Sequence, residues 1–275
     1  MTARTVSAID PRLALSISFQ PMTATGVSQP FAYAATARAQ GGRSFAAALA
    51  MLPLDQRPAL EASGIALVLE AAVAAGLREN DALLAIPVGA AAGMAEPLLS
   101  HLFRTALAYR FPLERIVVEI NADERGDLQS AAALARVCSG RGLAIAFDGF
   151  AAGPIALKLL GSFTPRYVKL DPALVRNIDA SLSRRLIAEG VMRLARSMGV
   201  TVVARGAESA GECHVLAAIG VRHVQAERPL VLAKPEMPRR EARYMQPAHR
   251  RLAHHQRAGS PMHHRQAQPD FAIAV

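Results

Sequence analysis

The chain is 275 residues long, 52% hydrophobic and 19% charged, with two cysteines and no tryptophan. That composition excludes wholesale disorder, and two thiols cannot staple a chain of this length as a disulfide scaffold. The net charge of +9 points to nucleic acid only until it is located: residues 239–275 hold seven arginines against Glu241 and Asp270, which leaves +4 on the rest. Basic residues are arginine almost throughout, the only lysines being Lys158, Lys169 and Lys234. No aromatic side chains interleave with them as single-strand binding requires, so nucleic acid is an unlikely partner. The longest uncharged apolar stretch, Ala82–Ala95, is too short to span a bilayer and contains Pro87 and Gly89. Asp10, Pro11 and Arg12 interrupt anything resembling a secretory leader, and a cytoplasmic location is expected.

In chain order, two extended stretches come first, Leu13–Pro21 and Phe31–Arg38, joined by a turn with Gly26 and Pro30. A helix is expected near 59–75. From Ala82 one rhythm repeats: a short apolar run, a turn, then a helical stretch. The runs are Ala82–Val88, Ile116–Ile120, Leu143–Phe147, Tyr167–Leu170, Val200–Ala204 and Val221–Gln225. Each is apolar on both faces, which suits parallel strands covered by helices. The helices are expected at about 91–110, 127–141, 154–161, 180–198 and 209–219, with Pro154 inside one start and Gly142, Gly199 and Gly220 past three ends. Eight strands alternating with helices predict an α/β fold, a (β/α)8 TIM-like barrel. The expected organisation is an N-terminal extension over 1–12, the barrel over 13–238 and a basic, His/Arg-rich flexible tail over 239–275. The tail's adjacent pairs His254–His255 and His263–His264 lack the spacing of metal ligands.

A barrel places its chemistry at the C-terminal strand ends. Those ends hold Gln20, Arg38, Pro87, Glu119, Asp148, Lys169 with Asp171, Arg205 with Glu208, and Gln225. Charged side chains closing apolar strands cost desolvation free energy unless paired. The cluster Glu119, Asp148, Lys169, Arg205 and Glu208 is therefore either a site or an internal ion-pair network. Elsewhere, Gly140, Gly142, Gly149 and Gly153 lack a phosphate-cradling spacing, and neither Cys138 and Cys213 nor His101, His214 and His223 show ligand periodicity.

Five segments in order carry a resemblance: Phe19-Gln20-Pro21-Met22, Val118-Glu119-Ile120, Ala144-Ile145-Ala146-Phe147-Asp148-Gly149-Phe150, Val168-Lys169-Leu170-Asp171, and Val202-Val203-Ala204-Arg205-Gly206-Ala207-Glu208-Ser209. Together they resemble the EAL family of cyclic di-GMP phosphodiesterases and their inactive relatives. The resemblance implies a barrel whose first strand runs antiparallel to its neighbours. It also implies metal-assisted hydrolysis in competent members, and dimerisation through a barrel face.

The departures shape the expectation. Where the family has Glu-Ala-Leu on the second strand, with its Glu on metal, this chain reads Ala34-Ala35-Thr36, although Arg38 is kept. An Asn ligand aligns with Pro87, and the paired aspartates are reduced to Asp148 followed by Gly149. Arg205 replaces the first Glu of Glu-Gly-Val-Glu, and the closing Gln-Gly-aromatic element is reduced to Gln225-Ala226-Glu227. The remnants are Glu119, Asp148, Lys169 and Glu208; counted with Arg205 they leave about −1 where two dications would need acidic ligands. At an effective dielectric of about 20, one guanidinium about 4 Å from a dication costs roughly 8 kcal/mol before relaxation. The resemblance thus implies a degenerate member, not expected to be a competent enzyme. It would bind an unidentified signalling protein, and cyclic di-GMP without metal as a further expectation, through Gln20, Arg38, Asp171 and Arg205. No metal is expected; Mg or Mn on Glu119 and Asp148 belongs to the alternative of a weakly active phosphodiesterase. A homodimer is implied by the resemblance, and a nucleic-acid-binding barrel is the remaining alternative. Arg205 has two readings, a fork for a phosphate in place of the metal, or a plug paired with Glu119 or Asp148; the plug is preferred.

Overall fold

The computed structural model describes residues 15–226 apart from 90–92 and 124–125. The expected N-terminal extension and the basic tail lie outside the described residues. Eight strands close into one barrel in sequence order: β1 (Ser16–Ala24), β2 (Ala32–Arg38), β3 (Leu83–Pro87), β4 (Ile116–Asn121), β5 (Ala144–Phe150), β6 (Tyr167–Leu170), β7 (Thr201–Arg205) and β8 (His223–Gln225). β1 is antiparallel to β2 and to β8, and every other pair is parallel. The (β/α)8 barrel with an antiparallel first strand is the architecture the sequence predicts.

The helices are α1 (Phe45–Ala50), α2 (Arg57–Ala74), α3 (Ala95–Ala108), α4 (Leu128–Gly140), α5 (Pro154–Ser162), α6 (Pro172–Val175), α7 (Leu182–Met198) and α8 (Ala210–Ile219). Their ends follow local chemistry. Asp127 opens α4 by accepting from the Gln129 and Ser130 N–H groups, and Ser209 and Glu212 form a reciprocal capping box on α8. Gly199 and Gly220 stop α7 and α8 in the left-handed conformation at φ 68° and 95°. α1 and α6 are additions to the sequence reading: at six and four residues they are too short to show a helical period.

Side-chain alternation sorts the core into two layers. Outward positions such as Leu84, Ile86, Val118, Ile120, Phe147 and Val168 pack beneath the helices with Val68, Leu99 and Leu134. Inward positions Met22, Ala34, Ala85, Val117, Ala146, Tyr167 and Val203 fill the barrel interior. With period two, the next inward residues on β4 to β7 are Glu119, Asp148, Lys169 and Arg205. These four members of the charged cluster are therefore the top layer of the barrel interior, while Glu208 follows the end of β7.

Two strands differ from expectation in ways that shape that layer. β1 runs three residues past Pro21, because Met22, Thr23 and Ala24 close the barrel against Gln225, Val224 and His223. Pro21 lacks an N–H but still accepts from the Ala226 N–H at 3.0 Å. β5 extends to Phe150 through a bulge against β6, with Gly149 at φ 72° as the extra residue. The bulge lets Asp148 face inward while Phe150 returns to the outer layer.

Candidate functional site at the barrel mouth

Four side chains from four consecutive strands meet at the C-terminal mouth. Lys169 Nζ lies 2.5 Å from Glu119 Oε1 and 3.8 Å from Asp148 Oδ1. Arg205 Nη1 donates to both oxygens of Asp148 at 2.6 Å. Lys169 and Glu119 are buried at 1% and 5% exposure, while Asp148 and Arg205 keep 25% each toward the mouth. The array is two acids and two bases and is formally neutral.

The two carboxyls respond to this environment in opposite directions. Burial pushes the Glu119 carboxyl above the usual range, with the Lys169 ammonium opposing it. Asp148 also suffers desolvation, but the charges of Lys169 and Arg205 and the Arg205 hydrogen bonds outweigh it and hold the carboxyl low. Asp148 is thus the acid that the cations hold ionised, and Glu119 the acid that burial penalises.

The remaining sequence candidates sit outside this array. Glu208 is exposed, with Arg176 Nη2 at 3.5 Å from its carboxylate. Gly206, directly after Arg205, holds a φ of 72°. Asp171 caps α6, accepting from the Ala173 N–H at 2.7 Å. Arg38 is exposed on the rim and donates to the Gly42 carbonyl at 3.3 Å. Gln20 is buried and accepts from Gln225 Nε2 at 2.6 Å, while Gln225 Oε1 is buried without a partner. Arg176, the partner of Glu208, was not anticipated: it follows a four-residue helix and carries no spacing signal.

The EAL domain model matches residues 8–225. The chain belongs to the EAL domain family. Among curated relatives, it is 31% identical over 121 residues to the probable cyclic di-GMP phosphodiesterase PdeN of Escherichia coli, covering 43% of this chain and 23% of that one. It is 27% identical over 115 residues to the blue light- and temperature-regulated antirepressor BluF of the same organism, covering 42% and 28%. The alignments thus span about a quarter of these relatives' length. Among solved EAL structures, a standalone versatile EAL protein from Vibrio cholerae, in its c-di-GMP bound form, is 26% identical with a TM-score of 0.69, covering 81% of this chain and 94% of that one.

Metal-assisted chemistry in the EAL family needs several carboxylates free to take up dications, and the residues present do not fit that demand. Among the described residues, no three His, Cys, Asp or Glu side chains converge where they could hold a metal ion. Both surviving inward acids already carry a cation, and a dication would have to displace Arg205 from Asp148 to reach it. Gly149 offers no second ligand, and a Cβ there would lie 3.2 Å from Asp123 Cβ on a backbone at positive φ.

Proposed function

We propose that this EAL-domain chain is catalytically degenerate and acts by binding a signalling protein, as a homodimer, rather than by hydrolysing cyclic di-GMP. The observation that carries the reading is the closed, neutral array in which Arg205 occupies Asp148 and Lys169 occupies Glu119. Hydrolysis of a phosphodiester with dications needs net negative charge at this position, and the array supplies none. The name of the relative BluF, an antirepressor, is consistent with a family member that works on another protein. The exposed Leu182, Leu186, Ile187 and Leu194 on α7 are the surface assigned here to the homodimer.

The nucleotide is the second ligand of this proposal. It is supported by the c-di-GMP bound form of the Vibrio cholerae relative and by Arg38, exposed on the rim. Arg205 already holds Asp148, which favours its role as a plug, and the nucleotide is proposed to bind without metal. The test is a calorimetric titration of the full chain with cyclic di-GMP, with and without magnesium, followed by a product assay in manganese. The expected result is no linear dinucleotide and no effect of metal on binding. Metal-dependent product formation that disappears in Glu119→Ala would overturn the proposal and restore a phosphodiesterase.

A further inference from the structure

A cavity of about 620 Å³ is lined by Val88 and Gly89 just after β3, by Ile120 and Asn121 at the end of β4, and by helices α1 to α4. None of the four charged mouth residues lines it. Its walls are mainly aliphatic, formed by side chains such as Leu49, Leu98, Ile120 and Leu134. The volume is within the range of small-molecule sites, ~300–1,000 Å³, which are apolar with few polar groups.

Glu61 of α2 is the polar group that stands out. It is 4% exposed, and its Oε2 has no hydrogen-bond partner. The Gly89 backbone N–H donates to the carboxyl, and burial still pushes it up to about 8. The other charged or titratable groups on the wall are engaged. Arg57, also on α2, donates to the Ala50 and Leu52 carbonyls. His101 of α3 places Nε2 3.1 Å from the Ala62 carbonyl and 3.3 Å from Thr105 Oγ1. Asp127 at the start of α4 accepts from the Gln129 and Ser130 N–H groups and from Ser130 Oγ. Val88 and Gly89 after β3 and the α1 wall carry no titratable side chain.

We propose that this cavity binds a small hydrophobic ligand with a single protonated amine, its ammonium on Glu61 and its apolar part against Leu98, Ile120 and Leu134. A second carboxylate beside Glu61 would repel it. Above the pH at which Glu61 ionises, an alcohol can donate one hydrogen bond but leaves the carboxylate charge uncompensated. An ammonium donates to the unpartnered oxygen and offsets the charge. In the empty cavity at neutral pH the carboxyl holds its proton. Forming the ammonium–carboxylate pair releases that proton to solvent, so binding tightens as pH rises while the amine stays protonated.

The test uses n-octylamine and n-octanol with the full chain, by calorimetry at about pH 8.5 and about pH 6.5. The amine is expected to bind at least about tenfold more tightly than the alcohol at the higher pH, with the advantage shrinking at the lower one. Glu61→Gln should retain octanol binding and lose the amine preference. Ala50→Trp, at an exposed position on the cavity rim, should abolish binding of both without touching the core. Equal affinity for amine and alcohol at the higher pH would overturn the proposal. So would an amine preference that persists in Glu61→Gln, or the lack of saturable amine binding by the unsubstituted chain.

Discussion

At the scale of single residues, the mouth array trades desolvation against pairing. Removing one partner of a buried ion pair leaves the other charge uncompensated and costs ~3–5 kcal/mol, whereas replacing both with neutral groups of similar size costs far less. Lys169→Met should therefore lower unfolding stability by about that amount, and adding Glu119→Gln should recover most of it. Denaturant melts of the two variants check this; equal losses in both would show that packing, not charge, sets the cost. The pH dependence separates the two acids. Asp148 titrates lower in the fold than its unfolded value of 3.8, so its contribution is present above that value and is lost as pH falls through the folded one. Glu119 titrates higher than 4.5, so the unfolded chain ionises first and this carboxyl erodes stability as pH rises through that interval. Asp148→Asn should accordingly flatten the acid limb of the stability profile below pH 3.8, measured by urea melts across that range. An unchanged acid limb would mean that Asp148 gains nothing from its two cations.

At the scale of elements, one carboxylate ties three segments together. Glu212 in the first turn of α8 accepts from the backbone N–H groups of Asn177, Glu208 and Ser209 at 2.7, 2.7 and 3.0 Å. Those bonds hold its carboxyl low. Hydrogen bonds to a charged group contribute ~1.5–3 kcal/mol, so Glu212→Ala should cost at least about 2 kcal/mol and loosen the segment after α6. Amide exchange at Asn177 checks it: faster exchange there is expected, and unchanged protection would remove the tie. The sequence shows α8 through its Ser209 start and Gly220 stop, and shows the strands through their apolar runs. It also shows the charged layer, because Glu119, Asp148, Lys169 and Arg205 each continue an inward alternation by two residues. It does not show the pairing of the exposed Glu208 with Arg176, which lies 32 residues earlier, nor the end of β1, where a proline reads as a stop and barrel closure carries the strand onward. Glu61 was also missed, although its spacing to Ile65, Val68 and Ala72 puts it on the buried face of α2.

At the scale of the whole molecule, the proposed homodimer needs a surface that two copies of the chain can share. No helix among the described residues is long and apolar enough to cross a membrane. α7 nevertheless leaves Leu182, Leu186, Ile187 and Leu194 at 69%, 55%, 41% and 37% exposure, an outer side that water solvates poorly. In a two-fold dimer the same patch meets itself, so each substitution acts twice. Burying one such side chain contributes ~1.5–3 kcal/mol at most, and placing a carboxylate there adds a desolvation cost in both protomers. Leu186→Glu should weaken self-association at least about tenfold in sedimentation equilibrium. Its unfolding stability as a monomer should change by no more than ~0.5 kcal/mol, because the position is exposed. A chain that stays monomeric without the substitution, or a dimer indifferent to it, would detach self-association from this helix. The partner-binding role would then have to be sought on another face of the barrel.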